Sequence, residues 1–232
     1  MGKQKSSMGS SRSASKSLGL WEKLSMTFSR PTQLFNSVSN QKDYWGLFKY
    51  YGVFVGIFFL IYWVYFNLSP QIQATYGLFV SPGLLWVLTF IGFVFYALFT
   101  IFAGPFISTA FSHLGVMWLG GKQGFYNTFK PLIYGGSLSL SYFIPTFLLL
   151  ILGIFTGFIG GIIFSFIGGI VALVGMVHSL YVQSTGVAMY HKMSKWRAFF
   201  GIILVPLILA IIMVVIMVVF ALLLVSTGGL NY

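Results

Sequence analysis

No acidic residue follows Asp43 in this 232-residue chain, and every Lys and Arg lies before or between long apolar runs, in alternate connections. Membrane-inserted chains retain Lys and Arg on the cytoplasmic side, so this alternation constrains the fold more tightly than any other feature. Lys3, Lys5, Arg12, Lys16, Lys23, Arg30, Lys42 and Lys49 precede or open the first apolar run. Lys122 and Lys130 follow the second run, and Lys192, Lys195 and Arg197 follow the fourth. The other connections carry no cation. The pattern predicts an all-α, polytopic membrane protein with five transmembrane helices, its N-terminus cytoplasmic and its C-terminus external.

Composition agrees. The chain is 58% hydrophobic and 6% charged, whereas soluble domains are about 25% charged. Its formal charge of +11 is concentrated on the N-terminal tail and beside the spans, which points to anionic lipid and not to nucleic acid. Each cation near such a surface contributes about 1 kcal/mol. The absence of cysteine excludes disulfides, thiolate nucleophiles and thiolate metal sites. No cleaved signal is expected, because the first apolar run begins near Gly46 and has the length of a span. Met1-Gly2-Lys3-Gln4-Lys5-Ser6 matches the short pattern for N-myristoylation, although a five-span chain needs no lipid anchor.

Four segments follow from the pattern. Residues 1–19, Ser-rich and basic, cannot bury enough apolar surface to order, and are expected to form a disordered tail. Residues 20–44 form an interfacial amphipathic segment: Leu20, Trp21, Leu24 and Phe28 recur at helical spacing, and Pro31 ends one helix and starts another carrying Leu34, Phe35 and Val38. Residues 45–226 hold the five spans, and residues 227–232 an external tail. The first span is expected over about Gly46–Phe66 and the second from Leu84 toward Phe102. Gly104-Pro105 should kink the chain there, with Phe106 to Trp118 bending along the inner interface or lining the bundle. The third span should start at Pro131 and reach about Phe155. Tyr142 to Tyr181 would be about 60 Å long as one helix, twice the bilayer core, so a turn is placed at Thr156-Gly157. The fifth span covers about Ala198 to Val225.

Gly161, Ser165 and Gly169 recur every four residues in the fourth span, as do Gly168 with Ala172 and Gly175 with Ser179. Small residues at this spacing let helices approach closely, within the chain or between copies of it. The only acids, Glu22 and Asp43, precede the spans, which removes paired-carboxylate catalysis and coupling through an intramembrane acid. His113, Tyr134 and His178 are the candidate intramembrane polar groups. His113 and His191 fall near span ends, and His178 lies deeper, where a hydrogen-bond partner is expected. Three histidines without a carboxylate make a poor metal site, so no metal and no cofactor is expected. Gly120-Gly121-Lys122 lacks the spacing and the preceding strand of a phosphate-binding loop.

His113-Leu114, Gly120-Gly121-Lys122-Gln123-Gly124-Phe125, Thr128, Tyr134, Pro145, Gly175, His178, Lys192-Met193-Ser194, Arg197-Ala198 and Pro206 occur in the order seen in the Yip domain family of Rab- or Ypt-interacting membrane proteins. The chain resembles that family over roughly residues 28–225, and Arg30-Pro31 through Phe35 resembles the lead-in of its prokaryotic members. The resemblance implies a five-span, non-enzymatic membrane scaffold. Eukaryotic members carry an acidic N-terminal region with an Asp-Leu-Tyr-Gly-Pro motif. This chain has a basic tail in its place, so Rab-type GTPase binding does not carry over.

The leading expectation is a membrane-organising or trafficking-like protein that binds membrane-protein or lipid partners through its cytoplasmic face. Gly120, Gly121, Lys122, Lys130, His191, Lys192, Lys195 and Arg197 are the contact residues. It would sit in the cell membrane of a prokaryote or the endomembranes of a eukaryote. The alternative is a small-solute transporter or channel, with Ser137, Ser139, Ser141, Tyr142, Thr146, Ser165 and His178 lining a path beside Pro145.

Overall fold

The computed structural model describes residues 18–76 and 79–226. The expected disordered tail up to Ser17, the myristoylation pattern and the C-terminal tail at 227–232 lie outside the described residues. Two short helices come first, α1 (Leu20–Ser29) and α2 (Pro31–Ser37), with Pro31 at the first position of α2, where no amide hydrogen is needed. Then follow α3 (Tyr44–Leu68), α4 (Pro70–Tyr76), α5 (Pro82–Trp118), α6 (Tyr126–Phe155), α7 (Gly157–His191) and α8 (Lys195–Ser226). Of these, α3, α5, α6, α7 and α8 are long and apolar enough to cross a membrane.

The five spans form a ring: α3 packs on α5 and α6, α6 on α7, α7 on α8, and α8 back on α5. Tyr44, Trp118, Tyr126, His191 and Lys195 mark one end of this ring, here called the basic end. Leu68, Pro82, Phe155 and Gly157 mark the far end. The 37 residues of α5 and the 35 of α7 correspond to about 55 and 52 Å of helix, well beyond a hydrocarbon core of about 30 Å.

Several expectations are corrected in detail. The second span is one helix, with Pro105 inside it, continuing to Trp118 as the periodicity of Phe106 to Trp118 predicts, and the packing of Gly115 and Val116 against Gly201 of α8 holds the continuation in place. The third span starts at Tyr126, five residues before Pro131. Its first turn is fixed by Phe129 N donating to Phe125 O at 2.9 Å and by side-chain bonds to Thr128 described below. The stretch after Pro70 contains the short helix α4, where Gln73 Nε2 donates to Asn67 O at 2.6 Å. The α6–α7 turn falls where expected: Thr156 caps α6, and Gly157 has φ +72°, which a glycine adopts without steric cost.

Small residues build the α6–α7 hairpin. A methyl group at Gly153 would stand 3.3 Å from the Gly161 Cα, and one at Gly168 would stand 3.4 Å from Thr146 Cγ2. Gly175 lies directly against Tyr142. Of the series Gly161, Ser165 and Gly169, Gly161 faces the partner helix in this way, whereas a methyl at Gly169 would meet nothing within 4 Å. The contact row runs instead through Gly168 and Gly175. Elsewhere α5 and α8 exchange a backbone repair. Pro206 has no N–H to give to the Ile202 carbonyl, and Ser112 Oγ of α5 donates to that carbonyl at 3.1 Å.

Candidate functional site at the basic end

Three spans converge at the basic end around one hydroxyl. Thr128, wholly buried at the start of α6, lies 2.9 Å from Nε2 of His191 on α7 and 2.8 Å from Nδ1 of His113 on α5. The backbone N–H of Gln123 donates to Nδ1 of His191 at 3.3 Å. In a neutral ring that bond leaves Nδ1 unprotonated and assigns the proton to Nε2, which donates to Thr128 Oγ1. The threonine proton is then directed at Nδ1 of His113. The chain of donors thus runs from the Gln123 amide through both histidines in one direction, and it ties the α5–α6 turn to the end of α7.

The turn itself has no slack. Gly120 has φ +94°. A methyl group at Gly121 would stand 2.6 Å from Val116 Cγ1 and 2.9 Å from His191 Nδ1. Lys192 closes α7 in the left-handed conformation, φ 54°, and its N–H reaches back to Ala188 O.

A second contact fastens the N-terminal helices. Lys130 is 1% exposed, and its Nζ donates to Val38 O at 2.6 Å and Ser39 O at 3.2 Å. These carbonyls lie just past α2, and Val38 O also accepts from the Gln41 N–H at 3.1 Å. The ammonium also sits 5.0 Å from the Tyr126 ring and 5.1 Å from that of Tyr190, a cation–π setting that offsets part of its desolvation. Phe35 of α2 inserts edge-on between Tyr134, at 6.1 Å, and Tyr190, at 5.8 Å. Tyr190 Oη donates to Phe35 O at 2.8 Å. Gly186 makes room, since a methyl there would stand 2.6 Å from Phe35 Cζ.

The contact residues named from sequence therefore divide into two groups. Gly120, Lys122, Lys192, Lys195 and Arg197 are exposed around the turn, whereas Gly121, Lys130 and His191 are buried beneath it. Lys195 Nζ lies 5.3 Å from the Tyr181 ring. The intramembrane candidates do not form one site. His113 belongs to the Thr128 cluster, Tyr134 to the aromatic cluster on Phe35, and His178 lies deeper, with its Nδ1 3.0 Å from Tyr142 Oη and its ring edge-on to Phe28 of α1. Sequence reasoning did not single out Thr128 as a hub, nor Val38 and Ser39 as acceptors. The pairing of Phe35 with Gly186 also joins positions too far apart for any local pattern to link.

Three of the suggested path residues are engaged with backbone carbonyls, and Tyr142 and His178 with each other. Ser137 Oγ donates to Ile133 O, Ser141 Oγ to Ser137 O, and Thr146 Oγ1 to Tyr142 O and Gly168 O.

Five apolar helices bundled behind an end rimmed with lysine and arginine define a multi-pass α-helical membrane protein. The family model for the Yip1 domain matches residues 26–225, and the chain belongs to that family. Comparison with curated proteins and with solved structures gives no match.

Proposed function

We propose that the basic end faces the cytoplasm and serves as a preformed, non-catalytic contact surface, through which the protein organises membrane lipid and recruits other membrane proteins. The observation that supports this reading is the division within the site. Lys122, Lys192, Lys195 and Arg197 are exposed, while the turn and helix ends that carry them are fixed from below by the Thr128–histidine chain and the Lys130 contact. Cations on a fixed frame lose little entropy on meeting phosphate or carboxylate groups, and so recognise a pattern of charge. Trp118 and Trp196, 67% and 72% exposed, flank the rim and suit the headgroup level of a bilayer. Anionic lipids and acidic cytoplasmic segments of membrane proteins are the partners such a rim fits. The transport reading gains no support from Ser137, Ser141 and Thr146 of α6, because their hydroxyls are used by backbone carbonyls.

The test is charge reversal of Lys122, Lys192 and Lys195 to Glu in the full chain. Partners crosslinked in native membranes and identified by mass spectrometry should fall at least tenfold, with insertion unchanged. Undiminished recovery of the same partners rejects the surface.

A further inference from the structure

The outer surface of the ring has two sides of opposite polarity at the basic end. On α5, Ile107, Phe111, Leu114 and Trp118 recur at helical spacing and are between 38% and 67% exposed. The other face of the same turns carries Thr109 and Ser112, buried against the bundle, and the half-buried His113. A helix on a water-facing surface turns its apolar stripe inward and its polar residues out. Here the order is inverted, as lipid surroundings require. On the neighbouring α8, Trp196 and Phe200 are exposed as well, while Ala198 and Ile202 are buried.

On the side where α1 packs on α6 and α2 on α7, the ordinary order holds. Leu34, Phe35 and Val38 of α2 are buried, whereas Thr32, Gln33, Asn36 and Ser37 are exposed. Beside it α1 exposes Trp21 and Glu22 alike, the mixed face of an interfacial helix. The two sides stand at about the same height along the bundle. Lys130, which holds Val38 and Ser39, lies within one turn of Thr128, which holds His113 beside Leu114.

Length imposes the same asymmetry. No charged residue occurs in α5, which exposes apolar side chains from Val87 to Trp118, about 46 Å of helix. In an upright bundle with its far end at one membrane surface, Phe111 to Trp118 would stand in water, beyond about 30 Å of hydrocarbon. A tilt of about 40°, the upper end of the range transmembrane helices show, projects the same length onto about 35 Å. Trp118 and Trp196 then reach the headgroups, with Lys195 and Arg197 beside them. We infer that the bundle sits tilted in the bilayer, with the α5–α8 side of the basic end sunk among the acyl chains of one leaflet and the α2 side lifted into water. The apolar surface is continuous with the lipid-facing surface of α5 and α8, so the same solvent covers both. The inference deepens the proposed organisation of lipid by giving it a physical means, since one leaflet meets apolar protein on one side and polar protein on the other. It depends neither on which leaflet holds the basic end nor on the rim cations binding a partner, so charge reversal at the rim and this placement can fail separately.

The test uses the full chain, which has no cysteine of its own, with a single spin label on Leu114→Cys, on Asn36→Cys or, as a lipid-facing reference, on Ile212→Cys. All three positions are exposed, so the labels leave the packing intact, and size-exclusion chromatography confirms it for each variant. In vesicles of phosphatidylcholine and phosphatidylglycerol, each label is probed by collision with oxygen, which concentrates in hydrocarbon, and with a water-soluble nickel chelate. The label on Leu114→Cys should meet the nickel chelate at least fivefold less than that on Asn36→Cys, and should match the Ile212→Cys label in oxygen access within twofold. A Leu114→Cys label as open to nickel as the Asn36→Cys label places that surface in water. One shielded from both reagents places a second copy of the chain on it. Either result overturns the inference.

Discussion

Thr128 carries more of the basic end than any other single side chain, because one hydroxyl satisfies ring nitrogens on two other helices. Replacing it with Val leaves the shape and strands two buried or half-buried nitrogens. Unpaired groups of this kind cost about 1–3 kcal/mol each, so Thr128→Val should destabilise the protein by about 2–3 kcal/mol in detergent unfolding, and Thr128→Ser by much less. A larger loss in Thr128→Ser than in Thr128→Val would show that the methyl group, not the hydroxyl, matters. Gly121→Ala should cost about 2 kcal/mol by the same measurement, since its methyl would press on Val116 and His191. At this scale the sequence was a poor guide. Lys130 looks like the other lysines in a string of letters, as a cation beside an apolar run. Only the placement of Val38 and Ser39 above α6 turns it inward, and that placement joins residues about ninety positions apart. The partners of His113 and His191 were hidden for the same reason.

Among the elements, the α6–α7 hairpin and the α1–α2 segment make opposite demands. The hairpin is held by close backbone approach, so bulk is its weakness: Gly175→Leu would drive a branched side chain into Tyr142 and should cost about 3 kcal/mol. Recovery of folded protein by size-exclusion chromatography would report it. The α1–α2 segment is held by Leu34, Phe35 and Val38, buried in the aromatic core, and by polar contacts from Lys130 and Tyr190 at its edge. Lys130→Met should release it, costing about 2 kcal/mol and raising amide exchange over residues 20–37 roughly 30-fold. Exchange within α6 and α7 should change little; a uniform rise across the spans would mean that Lys130 supports the whole bundle. Much at this scale was legible. Leu20, Leu24 and Pro31 marked the two helices, and the uncharged stretch too long for one span marked the turn at Thr156-Gly157. Which of two adjacent rows of small residues faces α6 was not legible. Gly168 and Gly169 differ by a rotation of about 100° around the helix axis, and a spacing of four is present in both rows.

For the whole molecule, the five spans read from the sequence are the five long apolar helices of the structure, because lipid leaves few alternatives. Without water in the hydrocarbon, each backbone polar group must be satisfied within the chain, and helices do this locally. Pattern alone therefore settles the architecture, while the basic end depends on which helix faces meet. The proposed orientation has one direct test, and the absence of cysteine makes it clean. Single-cysteine chains, Lys122→Cys, Lys192→Cys and Thr75→Cys, are treated with a membrane-impermeant maleimide in sealed and in inverted vesicles. The account predicts that Lys122→Cys and Lys192→Cys react from the cytoplasmic side alone and Thr75→Cys from the opposite side alone; reaction of Lys122→Cys and Lys192→Cys from different sides would contradict it.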